Sequence, residues 1–324
     1  MHGRQQAGSG SGASAPADGE AAVSGGSLRL THFGAAAWRI TDGVTTVLFD
    51  PFFSRIRYSG KTFGTATAPV APGDIRPVYG PNDTLVSDIG TIDAHVDRAD
   101  YILISHSHFN HCMDMPHIAR RTGAAVVGSE STTNIARAAG VPDDQLIPVK
   151  GGEDYEFGAL SVKVVPSLHS PLNRQRYFEP GTVPRDVRSP LRMVEYLEGG
   201  TLAYFIRFGA HRILVFGSMN FIEREMLGLE PTIALVAAAR ARLEIHDYTA
   251  RLLKSTGCPR LVVATHWDVQ SAPYGASQAG ALEQADTFAA EVAAASPASR
   301  VIVPRHFDTV IVEPDGSASV HPAP

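Results

Sequence analysis

Hydrophobic residues along the chain form short runs and alternating segments that predict strands, separated by helical patterns. Strands are predicted at 28–33, 37–41, 45–49, 101–104, 126–128, 154–157, 161–166, 202–208, 212–216, 233–237, 261–264, 301–303 and 309–313. Helices are predicted at 115–122, 131–139, 221–227, 245–255 and 281–295, the second with Ser131 or Thr132 as N-cap and Gly140 as C-cap. Strands that come first and then mix with helices predict an α/β fold with two sheets between outer helices.

Three segments lack this periodicity. Residues 1–26 consist mostly of Gly, Ala and Ser, with too little apolar surface to offset their ordering entropy, so we expect disorder there. Residues 27–324 are then expected to form one domain. Within it, the irregular stretches 52–96 and 170–198 are rich in proline and aromatic residues. Long loops usually have a role, so we expect two pocket-lining insertions, with solvated surface loops as the alternative.

Composition narrows the function classes. A chain of 324 residues that is 44% hydrophobic fits a globular protein, and its net charge of −5 argues against sequence-independent nucleic-acid binding. Two distant cysteines give no disulfide framework, so we expect a reducing, cytoplasmic location, with export through a clipped N-terminal signal left open. No apolar run approaches the roughly 18 residues that a transmembrane helix needs.

Candidate chemistry concentrates directly after the apolar strand at 101–104. His106 and His108 lie two residues apart and share one face of an extended chain, and His111 follows where the chain turns. Neutral imidazoles held close together are good metal ligands. A structural zinc site would use mainly cysteines and close every position, but this chain has only two cysteines. The pattern therefore indicates an open, imidazole-rich metal site.

The segment His106-Ser107-His108-Phe109-Asn110-His111 resembles the His-x-His-x-Asp-His signature of the metallo-β-lactamase superfamily, with Asn110 where the family has Asp. Within residues 27–314, further segments resemble family positions in the expected order: Phe49-Asp50-Pro51, Ser167-Leu168-His169, Phe216-Gly217-Ser218 and Thr265-His266-Trp267. The branch that looks most similar contains ascorbate-phosphate lactonases and N-acylethanolamine phospholipase D-like enzymes. The resemblance implies a four-layer αββα sandwich.

The resemblance also implies a first metal position formed by His106, His108 and His169. We expect zinc there, with manganese or iron as alternatives. Three imidazoles and one water form the arrangement that brings the pKa of bound water to roughly 7. For such a site to exist, the His169 ring must lie within about 5 Å of the other two rings.

The family's second metal position corresponds to four residues that lack two expected carboxylates: Asn110, His111, Ser218 and His266. An amide and a hydroxyl are poor replacements for groups that balance a divalent charge. Three explanations stay open. In the first explanation, the protein holds one ion firmly, and His111 and His266 bond substrate. Alternatively, Asp268 or Asp114 supplies a carboxylate, or Asn110 is an engineered Asp→Asn change that silences a base.

Other residues are assigned supporting roles. Asp50 is expected to accept a hydrogen bond from a ligating histidine or from a nearby backbone group, with an Asp-Pro turn that has no catalytic part as the alternative. His306, Asp308 and Asn220 are candidates for contact with a small-molecule substrate. An arginine-rich stretch is predicted to form a cationic lid over an anionic substrate, with a solvated loop as the alternative: Arg174, Arg176, Arg185, Arg188 and Arg192.

Together these residues predict hydrolysis of a small ester, lactone or phosphodiester by metal-bound hydroxide. His111, His266 or a nearby acid would stabilise the developing anion or protonate the leaving group. The alternative is a metal-binding or ligand-binding protein that has lost turnover, which the residues Asn110 and Ser218 favour. A two-iron redox relative is disfavoured because it needs the absent carboxylates, and a nuclease because the chain is acidic.

Overall fold

The computed structural model describes residues 25–58, 71–171 and 175–323. Residues 1–24 of the segment predicted to be disordered, residues 59–70 of the first insertion, and Arg174 lie outside the described residues. No helix in the described ranges is long and apolar enough to cross a membrane.

Seventeen strands are found in the described chain: β1 (Leu28–Gly34), β2 (Ala37–Thr41), β3 (Thr46–Phe49), β4 (Arg57–Tyr58), β5 (Val78–Tyr79), β6 (Tyr101–Leu103), β7 (Ala125–Gly128), β8 (Leu146–Pro148), β9 (Asp154–Glu156), β10 (Leu160–Pro166), β11 (Leu202–Phe208), β12 (His211–Phe216), β13 (Ile233–Ala237), β14 (Leu261–Thr265), β15 (Arg300–Ile302), β16 (Thr309–Val312) and β17 (Ala318–His321). The α-helices there are α1 (Ile89–His95), α2 (Phe109–Cys112), α3 (Met115–Thr122), α4 (Glu130–Ala138), α5 (Glu223–Met226), α6 (Tyr248–Ser255) and α7 (Ala279–Ala295). Short 3-10 turns occur at Asp143–Gln145, Met193–Glu195 and Arg240–Glu244.

Two large sheets organise the molecule. The first has the order β17-β16-β1-β2-β3-β6-β7-β8, and the second has the order β15-β14-β13-β12-β11-β10-β9. In the first, β3, β6, β7 and β8 are parallel neighbours. In the second, β12 to β15 are parallel. The pair β4-β5 stands apart as a two-stranded ribbon.

The central strands of both sheets are buried on both faces, which explains the layers. In β6, Leu103 packs into the core between the sheets, whereas Ile102 packs outward against the helices α1, α3 and α4. In β13, Leu235 points into the same central core, and Val236 packs against α6 and α7. Because successive side chains alternate between faces, each sheet carries an apolar surface on both sides. The result is the predicted helix–sheet–sheet–helix sandwich.

The structure corrects several local predictions. Ser129, not Ser131 or Thr132, caps α4, because its side chain accepts a hydrogen bond from the amide of Thr132. The C-cap of that helix is Ala139, and Gly140 follows it with a positive φ of 82°. The first insertion contains α1, whose N-cap Asp88 accepts a hydrogen bond from the amide of Thr91. Four strands that we did not predict, β4, β5, β8 and β17, are short or solvent-exposed.

Candidate metal centre

The site is built from the carboxyl ends of strands that run in the same direction. In the first sheet, β3 and β6 are parallel, and in the second β12, β13 and β14 are parallel, with β10 sharing their direction through the antiparallel β11. Parallel strands end at one edge of a sheet, which is where α/β proteins usually place their sites. All of these strands except β13 deliver one of the following polar residues within a few positions of their ends: Asp50, His106, His169, Ser218 and His266.

His106, His108 and His169, which we name the histidine triangle, lie close together and are buried. The ring centroids are 4.9 Å apart for His106 and His108, 4.8 Å for His106 and His169, and 4.7 Å for His108 and His169. The ring planes are nearly perpendicular to one another, at 80–88°. The prediction that His169 lies within about 5 Å of the other two rings is therefore confirmed.

The ring nitrogens of the triangle are arranged to receive a cation. The Nε2 atoms of His106 and His108 are buried without a hydrogen-bond partner in the described chain. His169 Nδ1 donates to the carbonyl of Ser170 over 2.8 Å, which leaves its Nε2 as the acceptor nitrogen. One ligand atom from each residue lies within 4.8 Å of the others. Buried polar atoms normally have partners, so these donor atoms fit a divalent metal ion.

Burial also keeps these imidazoles neutral, as metal ligands must be. Desolvation lowers the pKa of His106 and His108 well below the usual value, and neighbouring histidines add to the effect. Burial lowers the pKa of His169 to about 4. A neutral imidazole presents a lone pair to a cation, whereas a protonated one repels it.

Asp50 organises two histidines from its position at the end of β3. Its Oδ2 accepts a hydrogen bond from Ser105 Oγ over 2.5 Å and one from His111 Nδ1 over 2.8 Å, while Oδ1 accepts from the amide of Ser105. Ser105 Oγ in turn lies 2.9 Å from His106 Nδ1. Since Ser105 Oγ donates to Asp50, it accepts from His106. Asp50 thus fixes the tautomer of His111 directly and that of His106 through Ser105.

This arrangement explains the glycine before Ser218. A Cβ at Gly217 would collide with Ser105 Oγ and with Asp50 Oδ2. Asp50 is itself fully buried, and desolvation raises its pKa while the hydrogen bonds from Ser105 lower it. The absence of a side chain at Gly217 therefore lets the end of β12 approach the Asp50–Ser105 pair.

The other side of the site, which we name the polar wall, consists of Asn110, His111, Ser218 and His266. The His111 ring lies 3.9 Å from that of His106 and 5.3 Å from that of His266. Burial lowers the pKa of His111 to about 3 and that of His266 to about 4. These two neutral imidazoles lie beside the triangle. Among the described residues, the histidine triangle is the one cluster of three or more His, Cys, Asp or Glu side chains that could hold a metal ion, and neither His111 nor His266 belongs to it.

Other members of the polar wall already have protein partners. Asn110 Nδ2 donates to Gln270 Oε1 over 2.9 Å, and Gln270 Nε2 donates to the hydroxyl of Tyr58 over 2.9 Å. Ser218 Oγ accepts from the amide of Ser170 over 2.9 Å, which fastens the segment that carries His169.

A cavity of about 320 Å³ opens over both sides of the site. Its polar lining includes His108, His169, the polar wall and Gln270. Its apolar lining comes from Phe109, Phe178, Met219 and Val269. This is the size and mixture of surfaces expected for a small-molecule pocket.

The comparisons with known proteins agree with this geometry. The β-lactamase superfamily domain matches residues 29–184. The chain is 31% identical over 142 residues to a UPF0173 metal-dependent hydrolase of Heliobacterium modesticaldum, over 44% of this chain and 45% of that protein. Residues 29–184 of the chain therefore resemble the β-lactamase superfamily domain in sequence, and the described structure has the metallo-β-lactamase fold. The structure is similar to a metallo hydrolase of Ignicoccus hospitalis, with a TM-score of 0.57 at 18% identity over 89% of this chain and 99% of the other. It is also similar to a metallo-β-lactamase fold protein of Bacillus subtilis, with a TM-score of 0.52 at 11% identity over 88% and 99%.

These similarities confirm the predicted fold. The match to the Heliobacterium relative spans less than half of that protein's length, and the structural matches at under 20% identity show the fold alone. The narrower branch of lactonases and N-acylethanolamine phospholipase D-like enzymes therefore stays a prediction.

The two acidic residues proposed to supply a missing superfamily carboxylate are occupied elsewhere. Asp268 lies 2.8 Å from Arg55 Nη1 and from His306 Nε2, and it accepts from the amide of Ala35. Burial opposes its ionisation, but Arg55 and His306 outweigh burial and hold its pKa well below the usual value. Asp114 accepts from the amides of Phe53 and Ser54 and from the Ser54 hydroxyl. Both carboxylates stabilise loops.

The residues predicted to touch substrate are placed differently by the structure. His306 does not line the cavity and contacts Asp268, and Asp308 accepts from the amide of Arg305. Asn220 donates to the carbonyl of His169 and supports that segment. Arg192 is exposed and pairs with Glu195 in a capping box. In the described part of the predicted lid, no arginine lines the cavity.

Sequence reasoning missed several residues of the site. Ser105 connects Asp50 to His106, and its place between a buried strand and the first histidine was the available signal. Gln270 and Tyr58 hold Asn110, but they come from distant segments that no motif joins. Arg240, which lines the cavity, follows β13, a strand for which no functional residue was predicted.

Proposed function

We propose that the protein is a metal-dependent hydrolase that cleaves a small ester, lactone or phosphodiester. The observation that carries this proposal is the histidine triangle, in which two buried Nε2 atoms have no partner in the described chain. The description of the Heliobacterium relative as a metal-dependent hydrolase supports it. The cavity of about 320 Å³ limits the substrate to a small molecule.

His106, His108 and His169 hold one divalent ion in this proposal. Three imidazoles are typical of a catalytic zinc site with an open position, so zinc is our first choice, with manganese or iron as alternatives. The bound cation supplies Lewis acidity, which activates water and polarises the oxygen of the bond to be cleaved. A second ion binds weakly or not at all, because the polar wall offers no carboxylate.

The chain's own residues orient the donors and handle the proton. Asp50 and Ser105 keep Nδ1 of His106 protonated, so that Nε2 keeps its lone pair. His111 donates from Nδ1 to Asp50, so its Nε2 is free to accept a proton during the reaction. His266 and the Asn110 amide, which also line the cavity, bind substrate oxygens. Apolar lining residues exclude water around them.

The remaining predictions belong to the same proposal. Residues 27–324 act as one catalytic domain. A cytoplasmic location is consistent with two free cysteines, Cys112 and Cys258. The branch of lactonases and N-acylethanolamine phospholipase D-like enzymes guides the choice of substrates to test.

A second candidate is a metal-binding or ligand-binding protein without turnover. It is favoured by the polar wall, in which Asn110 and Ser218 replace carboxylates and already bond Gln270 and Ser170. This candidate shares the histidine triangle and differs only in the absence of hydrolysis.

The experiment combines a metal count with a hydrolysis screen. Purified protein is analysed for bound metal and assayed against 4-nitrophenyl esters, lactones and bis(4-nitrophenyl) phosphate. We expect about one ion per chain and turnover of at least one class. His108→Ala should lose the ion and reduce kcat/KM by about 1,000-fold, the several kcal/mol that a metal contributes.

His246→Ala is the matched control, because His246 is exposed and lies outside the cavity lining. It should keep the metal and the activity. Activity that survives loss of the ion in His108→Ala would contradict the proposal. A full complement of metal without turnover in any substrate class would favour the binding protein.

A further inference from the structure

β13 ends beside the site and leads to a residue that no motif predicts. The strand lies between β12, which leads to Ser218, and β14, which leads to His266. After Ala237 come two alanines and then Arg240, which begins a 3-10 turn. Arg240 lines the cavity and is solvent-exposed, so it stands where the cavity meets solvent.

The positive charge of Arg240 is not balanced by a free carboxylate in the cavity lining. Among the described lining residues, two side chains carry a full charge, Asp268 and Arg240. Asp268 is paired with Arg55 and His306. Within residues 25–58, 71–171 and 175–323, the side chain of Arg240 makes no hydrogen bond or ion pair. The cavity therefore presents a free guanidinium and no free carboxylate.

A neighbouring arginine shows what a structural role looks like in the same turn. Arg242 is fully buried, pairs with Glu291 over 2.8 Å and donates to the carbonyl of Ala238. Arg242 therefore holds the turn against α7. The Arg240 side chain makes no such structural contact within the described residues, and its guanidinium is available to a ligand.

Part of the cavity lining is apolar. Phe109, Phe178, Met219 and Val269 line the same cavity as Arg240. An apolar surface next to a cation strengthens a charge-assisted hydrogen bond by lowering the local dielectric constant. A ligand that suits this lining has an apolar body and an anionic group.

We infer that Arg240 determines specificity by binding an anionic group of the substrate, a carboxylate or a phosphate, remote from the bond that is cleaved. This inference rests on the proposed hydrolase function and adds a substrate class to it. The guanidinium fork suits either anion. It also assigns to Arg240 the recognition of charge that the sequence suggested for the arginine-rich stretch.

The test uses matched esters and the metal-loaded protein. 4-Nitrophenyl butyrate is neutral, mono-4-nitrophenyl glutarate adds a terminal carboxylate, and 4-nitrophenyl 4-phosphonobutanoate adds a terminal phosphonate. After subtraction of uncatalysed rates, Arg240→Gln should lower kcat/KM for at least one charged ester by roughly tenfold, as expected for one charge-assisted hydrogen bond partly exposed to water. The neutral ester should change by less than about twofold. The two charged esters separate carboxylate from phosphate recognition.

Arg224→Gln provides the control. Arg224 is exposed and does not line the cavity, so its substitution removes the same charge at a position away from the cavity. It should leave the preference between charged and neutral esters unchanged. Arg240→Lys should restore part of the preference. An equal effect of Arg240→Gln on charged and neutral esters would overturn the inference while leaving the hydrolase proposal intact.

A binding measurement keeps the inference testable if no ester is hydrolysed. Butyranilide and glutaranilic acid are amide analogues that differ by one terminal carboxylate, and 4-phosphonobutanoic acid anilide carries the phosphonate. By calorimetry, an anionic analogue should bind wild type roughly tenfold more tightly than Arg240→Gln, whereas butyranilide should not distinguish them. Identical binding of every analogue to both proteins would contradict the inference on this second readout as well.

Discussion

The histidine triangle and the polar wall face the same cavity, but the protein treats their polar atoms differently. In the triangle, the Nδ1 of His106 and of His169 is bonded to the protein, and the buried Nε2 atoms of His106 and His108 have no partner in the described chain. In the polar wall, Asn110 and Ser218 are already bonded to Gln270 and Ser170. The triangle therefore presents donor atoms that suit a cation, whereas two of the four side chains of the polar wall are already bonded to protein groups.

This difference shows how a fold with two potential metal positions can be suited to a single ion. A second divalent ion needs anionic ligands to balance its charge. The positions that would supply them hold an amide and a hydroxyl, and the nearby carboxylates of Asp268 and Asp114 bond other groups. The polar wall is then available for substrate, with His111 and His266 as neutral imidazoles.

The largest effect on this comparison should come from Asp50→Asn, because Asp50 serves both sides. Three donors converge on its carboxylate: the Ser105 amide, the Ser105 hydroxyl and His111 Nδ1. An asparagine would place an NH₂ group against one of them. We expect metal affinity to fall by roughly 10- to 100-fold, measured by competition with a chelator.

Asp114→Asn is a matched control for this effect. Asp114 is equally buried and also accepts three hydrogen bonds, from the Phe53 amide and from the Ser54 amide and hydroxyl. It should lower stability without changing metal affinity. Equal metal affinity of wild type and Asp50→Asn would show that Asp50 does not orient the triangle.

A smaller effect is expected from Asn110→Asp. The new carboxylate would face Gln270, which now accepts from Asn110, and Ser218 still offers no anionic ligand. We expect one ion per chain and activity within about threefold of wild type. A second bound ion with a large gain in activity would instead support the explanation that Asn110 silences a base.

The smallest effect is expected from Arg192→Gln. Arg192 is exposed, pairs with Glu195 and does not line the cavity. The kcat/KM for charged and neutral esters should both change by less than about twofold, because exposed ion pairs contribute little. A selective loss for the charged esters would return charge recognition to the predicted lid and weaken the role assigned to Arg240.

The sequence predicted most of the sandwich, because strands such as β13 and β14 carry continuous apolar runs and the two sheets are buried on both faces. It missed β17, which is exposed at a sheet edge, and α1, whose sequence contains a glycine and few apolar residues. Pairing with β16 determines the structure of β17, and the Asp88 cap helps to determine that of α1, so hydrophobic periodicity does not reveal either element.

The residues of the site were predictable where they belong to a recognisable sequence signature. His106, His108 and His169 each follow a strand, and the resemblance to a known signature joined them. Contacts between distant segments were not predictable: Arg55 and Asp268 are 213 positions apart, and Asn110 and Gln270 are 160 apart. The carboxylate of Asp268 looked available for a metal because its buried partner has no signature of its own.

The most direct test of the account is anomalous diffraction from crystals of the metal-loaded protein, measured at the absorption edge of the bound metal. The account predicts one strong peak, about 2.0–2.1 Å from the Nε2 atoms of His106, His108 and His169 if the ion is zinc. A peak away from these nitrogens, or a second peak of similar height between His111 and His266, would contradict it.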